Sequence, residues 1–357
     1  MTEPRKCAVI LLQLGGPDSL DAVEPFLFNL FIDPDIIDFP GAFLARKVLA
    51  RFIARKRAPY VAERYKLIGG KSPIIDLTFA QALALEKLLN PEIPLKVFVA
   101  MRYWNPLTRE VVNQLAGNSY SRAVLLPLYP HYSKATTLSS IKEWRRNASA
   151  LGGLESSTIC CYYNHPLYIE ALVANINAAY AKFTHCEPKD IQLVFSAHGV
   201  PLDLIRKGDP YQLQIEETVR HVMEKGKWAS PHRLCYQSKV GPAAWLKPSL
   251  PETIEDLARN GRRNLLVIPI AFVTDHIETL HEINIEAREE AGRLGIHRFE
   301  MMPALNTNPL FIECLADLVR HAISGESLHL SSCRDLHRSH PDRFAPHLCP
   351  YWNSSRP

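Results

Sequence analysis

The chain lacks long apolar runs, paired cysteines and the glycine signatures of phosphate binding. Each absence removes a class of protein. No apolar stretch approaches the roughly 18 residues that a membrane-crossing helix needs, and Met1–Lys6 is polar and leads straight into a strand. A soluble, cytoplasmic protein is therefore expected, with attachment to a membrane surface left open. The eight cysteines (Cys7, Cys160, Cys161, Cys186, Cys235, Cys314, Cys333 and Cys349) are irregularly spaced and form no C-x-x-C. That argues against a zinc site or a secreted disulfide framework, and for buried thiols in a reducing compartment. Neither GxxxxGK[ST] nor GxGxxG occurs; Gly15-Gly16-Pro17 and Ile68-Gly69-Gly70-Lys71-Ser72-Pro73 read as turns and caps, so nucleotide binding has little support. No G-x-S-x-G elbow is present, which removes the hydrolase triad. The net charge of +4 is mild and spread along the chain, so no nucleic-acid partner is expected. There is no internal repeat of fixed period.

What is present is an alternation. Strand-length apolar runs occur at 8–14, 95–100, 123–128, 191–196, 233–237 and 265–271, and helical periodicity follows at 76–89, 107–115, 167–181, 211–225 and 277–291. Such alternation predicts parallel sheets with helices on both faces, in an α/β protein of two units. Nearly half the residues are apolar, enough for a substantial core. The expected division is a first lobe over 1–155, a second over 156–307, a helix over 308–323 returning to the first lobe, and a polar, aperiodic tail over 324–357. The join is placed in the small-residue stretch 147–156.

One segment is unusual. Phe26–Ile32, Ile36, Ile37, Phe39, Phe43 and Leu44 form an apolar run, and Arg46, Lys47, Arg51, Arg55, Lys56 and Arg57 follow it. It reads either as two amphipathic helices packing on the sheet, or as an apolar lip at 24–57. A cation-edged lip would suit a large flat ligand with acidic groups, or a membrane contact through residues 26–44.

In open α/β sheets ligands bind beyond the carboxyl ends of strands. His198 stands there, where Val194-Phe195-Ser196-Ala197 ends, and histidine is the side chain best matched to proton transfer near neutral pH. It is equally the kind of residue that merely bonds a backbone group in a turn. Glu278, Glu282 and Glu286 follow the strand 265–271 at i, i+4, i+8, with His276 and His281 nearby. They form either a solvated helix face or a row of hard oxygen ligands able to pass on a divalent ion such as Fe2+. Tyr65, Tyr103, Trp104, Tyr129, Tyr132, Trp245 and Phe272 lie after strands or in loops and are either core or the lining of a flat pocket.

Several motifs together resemble the ferrochelatase family. They are Ser196-Ala197-His198, Gly208-Asp209-Pro210-Tyr211, Gln237-Ser238-Lys239-Val240-Gly241-Pro242 with Trp245-Leu246, and Asp275-His276-Ile277-Glu278-Thr279-Leu280. Ile68-Gly69-Gly70, Ser72-Pro73, Arg102-Tyr103, Asn105-Pro106-Leu107-Thr108, Tyr129-Pro130 and Asn308-Pro309-Leu310-Phe311 fit the same family, in order from about Ala8 to Val319. The resemblance implies two Rossmann-like lobes, each a parallel β-sheet flanked by helices (class II chelatase-like), around a porphyrin cleft. It implies a lyase that inserts Fe2+ into protoporphyrin IX to give protohaem, with both as substrates and no permanently bound cofactor. His198 matches the family's proton-accepting histidine and Glu278 its partner carboxylate; His198, Glu278, Glu282 and Glu286 match the metal side. Arg57, Tyr65 and Ser72 match positions at the propionates or pocket mouth, and Arg102, Tyr103, Trp245 and Phe272 match cleft-lining positions.

Three residues depart from the family pattern. Gly199 stands where many relatives have serine. Leu14 replaces a methionine near the metal face, so it lines the porphyrin site without offering a soft ligand. Lys134 occupies the position of a cysteine that ligates a two-iron cluster in animal-type relatives, and the tail carries only Cys333 and Cys349, so no iron–sulfur cluster is expected; a different tail site drawn from Cys333, His337, His340, His347 and Cys349 is the alternative left open. The long lip and Trp245 resemble the protoporphyrin-using branch; the coproporphyrin-using branch has a shorter, more open lip. A carrier without turnover would keep the pocket but would not need His198 and Glu278 together.

Overall fold

The computed structural model describes residues 6–34, 42–118, 120–149, 151–152, 154–239, 243–325, 328–341 and 343. Ile36, Ile37 and Phe39 of the expected lip, Val240-Gly241-Pro242, and His347 and Cys349 of the tail lie outside these residues, as do the side chains of Phe43 and Leu44.

Eight strands form two sheets. The first contains β1 (Lys6–Gln13), β2 (Leu95–Met101), β3 (Tyr120–Pro127) and β4 (Glu155–Thr158), in the order β2-β1-β3-β4; the second contains β5 (Ile191–His198), β6 (His232–Gln237), β7 (Asn264–Pro269) and β8 (Arg298–Met301), in the order β6-β5-β7-β8. Every pairing is parallel. The central strands are continuous aliphatic runs because helices cover both faces: Ala8 to Leu12 and Leu265 to Ile268 are all buried. The α/β class and two-sheet organisation read from the sequence are those observed.

Each sheet reverses its strand order beside its first strand, between β1 and β3 and between β5 and β7. Those are the switch points at which the carboxyl ends of adjacent strands splay their following loops apart. His198 ends β5, and the segment leading to Glu278 follows β7.

Two compact units are present. The first runs to Leu128 and again from Ser133 to Ile159; the second takes Tyr129–Tyr132 and the chain from Cys160 onward. The boundary expected near 155 falls inside β4, whose polar sequence hid an edge strand that pairs Arg122–Leu125 of β3 with Glu155–Thr158. The helix Pro309–Ser324 packs against the helix Pro166–Tyr180 of the second unit. Phe311 anchors it there, with its ring centroid 6.4 Å from Tyr162 and 6.5 Å from Tyr168.

The tail also differs from expectation. Leu328–Ser339 is helical. Cys333 and Leu336 are buried, and the end of the tail is held to the helix Tyr211–Gly226 by Arg343 to Glu216 (2.9 Å) and His340 to Glu217 (3.8 Å). Of the described side chains of this helix, Cys333 and Leu336 do this packing, set among Arg, Asp and His, which left little periodic signal to read.

Candidate functional site

The chemistry in the second unit begins at the end of β5. Nδ1 of His198 lies 2.7 Å from Oε2 of Glu278, and the Tyr211 hydroxyl donates to the His198 carbonyl at 3.0 Å. Ser196 Oγ donates to Gln237 Oε1 at 2.7 Å, and Gln237 Nε2 reaches the Glu278 carbonyl at 3.3 Å, which ties β5 and β6 to the start of the acidic helix. The His198 side chain stays about one-third exposed, whereas Glu278 is mostly covered. Phe272 stands edge-on to His198, with centroids 6.3 Å apart, and tilts over His276 at 4.6 Å.

The acidic segment is π-helical over Glu278–Ala287 and becomes α-helical only at Arg288–Arg293. This corrects the α-helical stripe expected over 277–291. A wider turn brings i and i+5 together, so His281 Nδ1 lies 3.7 Å from Glu286 Oε2. The three acids diverge in setting. Ser238 Oγ donates to Glu282 and lies 3.4 Å from Glu278 Oε2, bridging the first two carboxylates, while Glu286 is much more exposed. Ser238 holds a left-handed backbone, φ 65°, uncommon for a residue with a Cβ. The segment is anchored at its start by Asp275, which accepts from Thr279 Oγ1, Asn306 Nδ2 and the Ala304 amide.

Electrostatics bind the pair. Burial opposes charge on His198, but the Glu278 carboxylate, with help from Glu282, outweighs it and raises the imidazole's pKa. Burial alone would raise Glu278; the facing imidazolium, its hydrogen bond and His276 outweigh this and hold the carboxyl below its ordinary range. His276, bonded through Nδ1 to the Thr274 carbonyl at 3.1 Å, is pushed down by burial. Of the two imidazoles beside Glu278 it is therefore the harder to protonate.

Trp245 is half-buried in the same unit, and its Nε1 finds no hydrogen-bond partner among the described residues. A Cβ added to Gly199 would stand 3.3 Å from its ring and 2.9 Å from the Gln237 carbonyl oxygen. The absence of serine at 199 is thus matched by the absence of space.

The other expected ligand-lining residues belong to the first unit. Arg102 and Tyr103 leave β2 with their amides on the carbonyls of Gln13 (2.8 Å) and Leu14 (3.0 Å). Asp33, which sequence reading missed, organises them. Its Oδ2 accepts from Arg102 Nη2 (2.6 Å), Tyr103 OH (2.7 Å) and Ser139 Oγ (2.9 Å). Burial first, then the Asp33 charge, raises the Tyr103 phenol, so its proton stays on as a donor. Ser72 is buried against Gly16, where a Cβ would come within 2.6 Å of its Oγ, and its amide bonds the Pro17 carbonyl at 2.8 Å. Tyr65 is buried, and the half-buried Arg57 lies over the Phe31 ring at 5.6 Å. Asp33, Gln237 and Ser238 gave no sequence signal as site residues; Gln237 and Ser238 were visible only as letters of a motif.

The chain as a whole has known relatives. A family model described as Ferrochelatase matches residues 6–323. The chain is similar to the ferrochelatase of Geotalea uraniireducens (strain Rf4), 51% identical over 324 residues that cover 90% of this chain and 100% of that protein. It is also similar to the ferrochelatase of Aquifex aeolicus (strain VF5), 45% identical over 89% of this chain and 100% of that one. Among solved structures, SirB from Bacillus subtilis with Fe3+ superposes with a TM-score of 0.54 at 11% identity, over 89% of this chain and 95% of that one, a likeness of fold alone. With this extent of identity over nearly its whole folded length, the chain belongs to the ferrochelatase family, the lyases that insert iron into a porphyrin for haem synthesis.

Proposed function

We propose that the porphyrin is protoporphyrin IX, the product protohaem, and that His198 and Glu278 carry the proton and metal chemistry. The carrying observation is the 2.7 Å contact between His198 Nδ1 and Glu278 Oε2 at the β5/β7 switch point. Insertion must remove two pyrrole protons and replace the water around Fe2+. With Nδ1 committed to Glu278, Nε2 of His198 is the atom that takes a pyrrole proton. Glu278 and Glu282, bridged by Ser238, offer hard oxygen ligands to the incoming ion, and the more exposed Glu286 stands further out along the same segment as its supply point. Leu14, Arg57, Arg102, Trp245 and Phe272 keep exposed surface and contact the porphyrin, while the buried Tyr65, Ser72 and Tyr103 act on that site from within the first unit. Fe2+ and porphyrin are substrates, not resident groups, and with Lys134 at the relevant position no iron–sulfur cluster is expected.

The preference for protoporphyrin is supported by the apolar character of the lip. Phe28 and Phe31 lie beneath Arg51 and Arg57, each 5.6 Å from guanidinium to ring centroid. On the helix Ala42–Leu67, Val48 and Phe52 are exposed among cations. Exposed apolar side chains with flanking Lys and Arg suit a peripheral contact with an anionic membrane surface as well as a substrate with two vinyl groups. No helix among the described residues is long and apolar enough to cross a membrane.

The test is anaerobic insertion of Fe2+ followed by loss of porphyrin fluorescence. Turnover of protoporphyrin IX above coproporphyrin III is expected; preference for coproporphyrin III overturns the substrate assignment, and binding without turnover of either reduces the protein to a carrier. Co-sedimentation with anionic liposomes, lost in Val48→Ser/Phe52→Ser, tests the membrane contact.

A further inference from the structure

Three cysteines that the iron-insertion chemistry does not use meet in the second unit. Cys160 and Cys161 follow β4, and Cys333 comes from the tail helix Leu328–Ser339. All three are buried, and their sulfurs lie within 4.8 Å of one another, with Cys160 and Cys161 at 3.7 Å. No disulfide joins them.

The spacing has chemical meaning. A thiophilic ion bonded to three sulfurs at about 2.3 Å places them on a triangle with edges of about 3.8–4.0 Å, so these thiols need only small rotations to close on one centre. Thiolate sulfur selects soft and borderline ions and discriminates against the hard oxygen-seeking ones.

We propose that Cys160, Cys161 and Cys333 form a binding site for a single d10 metal ion of the Zn2+ class, which clamps the tail onto the second unit. On binding, three S–H protons leave to water and three metal–sulfur bonds form, with no change of oxidation state. The site is separate from the substrate-iron residues, because it shares none of His198, Glu278, Glu282 or Glu286. It depends on a segment beyond residue 323, where the family match ends. The tail's ion pairs, Arg343 to Glu216 and His340 to Glu217, already place Cys333 for it.

The probe is Cd2+, whose bonds to thiolate absorb in the ultraviolet and whose bonds to carboxylate or imidazole do not. Reduced, metal-free full-length protein is titrated anaerobically. One Cd2+ per chain should develop the band, Zn2+ bound beforehand should be displaced by Cd2+ with the same one-per-chain end point, and proteolysis of the tail should slow on loading. The band should persist in Glu278→Gln and vanish in Cys333→Ser, a tail position whose loss spares the body of the unit. Cys160→Ser/Cys161→Ser should lose it too. A band undiminished in Cys333→Ser, no band in the parent protein, or acid-labile sulfide with iron at this site overturns the proposal.

Discussion

Oε2 of Glu278 lies 2.7 Å from Nδ1 of His198 and 3.9 Å from Nε2 of His276, yet the two imidazoles have opposite fates. Burial pushes both down; only His198 has the direct carboxylate bond that reverses the effect. One ring is made easier to protonate and the other harder. Replacing His198 by Ala should remove the proton acceptor and lower the insertion rate by about 10²–10⁴-fold. Porphyrin binding, followed by fluorescence quenching, should persist. Near-normal turnover in that variant would exclude the assigned base.

The same pair sets a pH dependence. His198 accepts a proton only when neutral, so insertion should fall as the pH drops through its raised pKa. In Glu278→Gln the carboxylate no longer offsets burial, and the acid limb of kcat/KM should move to lower pH while the maximum falls. For stability the signs run in opposite directions. The raised His198 contributes below its unfolded pKa and loses that contribution as the pH rises through its folded value; the lowered Glu278 contributes above its unfolded pKa and loses that as the pH falls through its folded value. The pair should therefore stabilise most between the carboxylate range and the raised imidazole value. An acid limb unmoved in Glu278→Gln would separate His198 from the proton step.

The parallel sheets were legible because strands buried on both faces are written as unbroken aliphatic runs, as in Ala8–Leu12 and Leu265–Ile268. His198 and Glu278 were legible because they stand just beyond such runs. What escaped was written in weaker letters. β4 is Glu155-Ser156-Ser157-Thr158, an edge strand with no apolar alternation. The π-helical turn over 278–287 shares its composition with an α-helix, so spacing alone assigned Glu286 to a regular stripe. Asp33 lies inside the apolar lip and far in sequence from Arg102, Tyr103 and Ser139, and no local pattern joins them. The thiol cluster was hidden in the same way: Cys160 and Cys161 are adjacent, but Cys333 reaches them only through the tertiary fold.

Asp33 makes its own prediction. A side chain almost wholly buried, taking hydrogen bonds from Arg102, Tyr103 and Ser139, leaves three donors stranded when removed. Asp33→Ala should cost about 3–5 kcal/mol, the range for breaking a buried charged pair by deleting one partner. It should also free Arg102 and Tyr103 to move, so KM for porphyrin should rise in whatever fraction folds. Asp33→Asn keeps acceptor oxygen and should recover part of the stability. Denaturant midpoints for the two variants separate these outcomes; equal midpoints for Ala and the parent protein would show that Asp33 is not the hub.

Gly199 tests how tightly the strand end is built. Its amide donates to the Gln237 carbonyl at 2.7 Å, and a Cβ at 199 would sit 2.9 Å from that same oxygen. The obstacle is backbone, held by the β5–β6 ladder, so it cannot swing aside as a flexible side chain would. Gly199→Ala should therefore cost about 1–3 kcal/mol in overpacking strain. Gly199→Ser should cost no less, unless its hydroxyl finds a partner. Because His198 is the preceding residue, relief of the clash by backbone movement should also lengthen its contact with Glu278. The thermal midpoint should fall, and the acid limb of the activity profile should shift towards lower pH as the pair loosens. An unchanged midpoint together with an unchanged limb would mean that the β5 and β6 ends can part freely at this point, and that the closeness of Gly199 to Gln237 does not hold His198 in place.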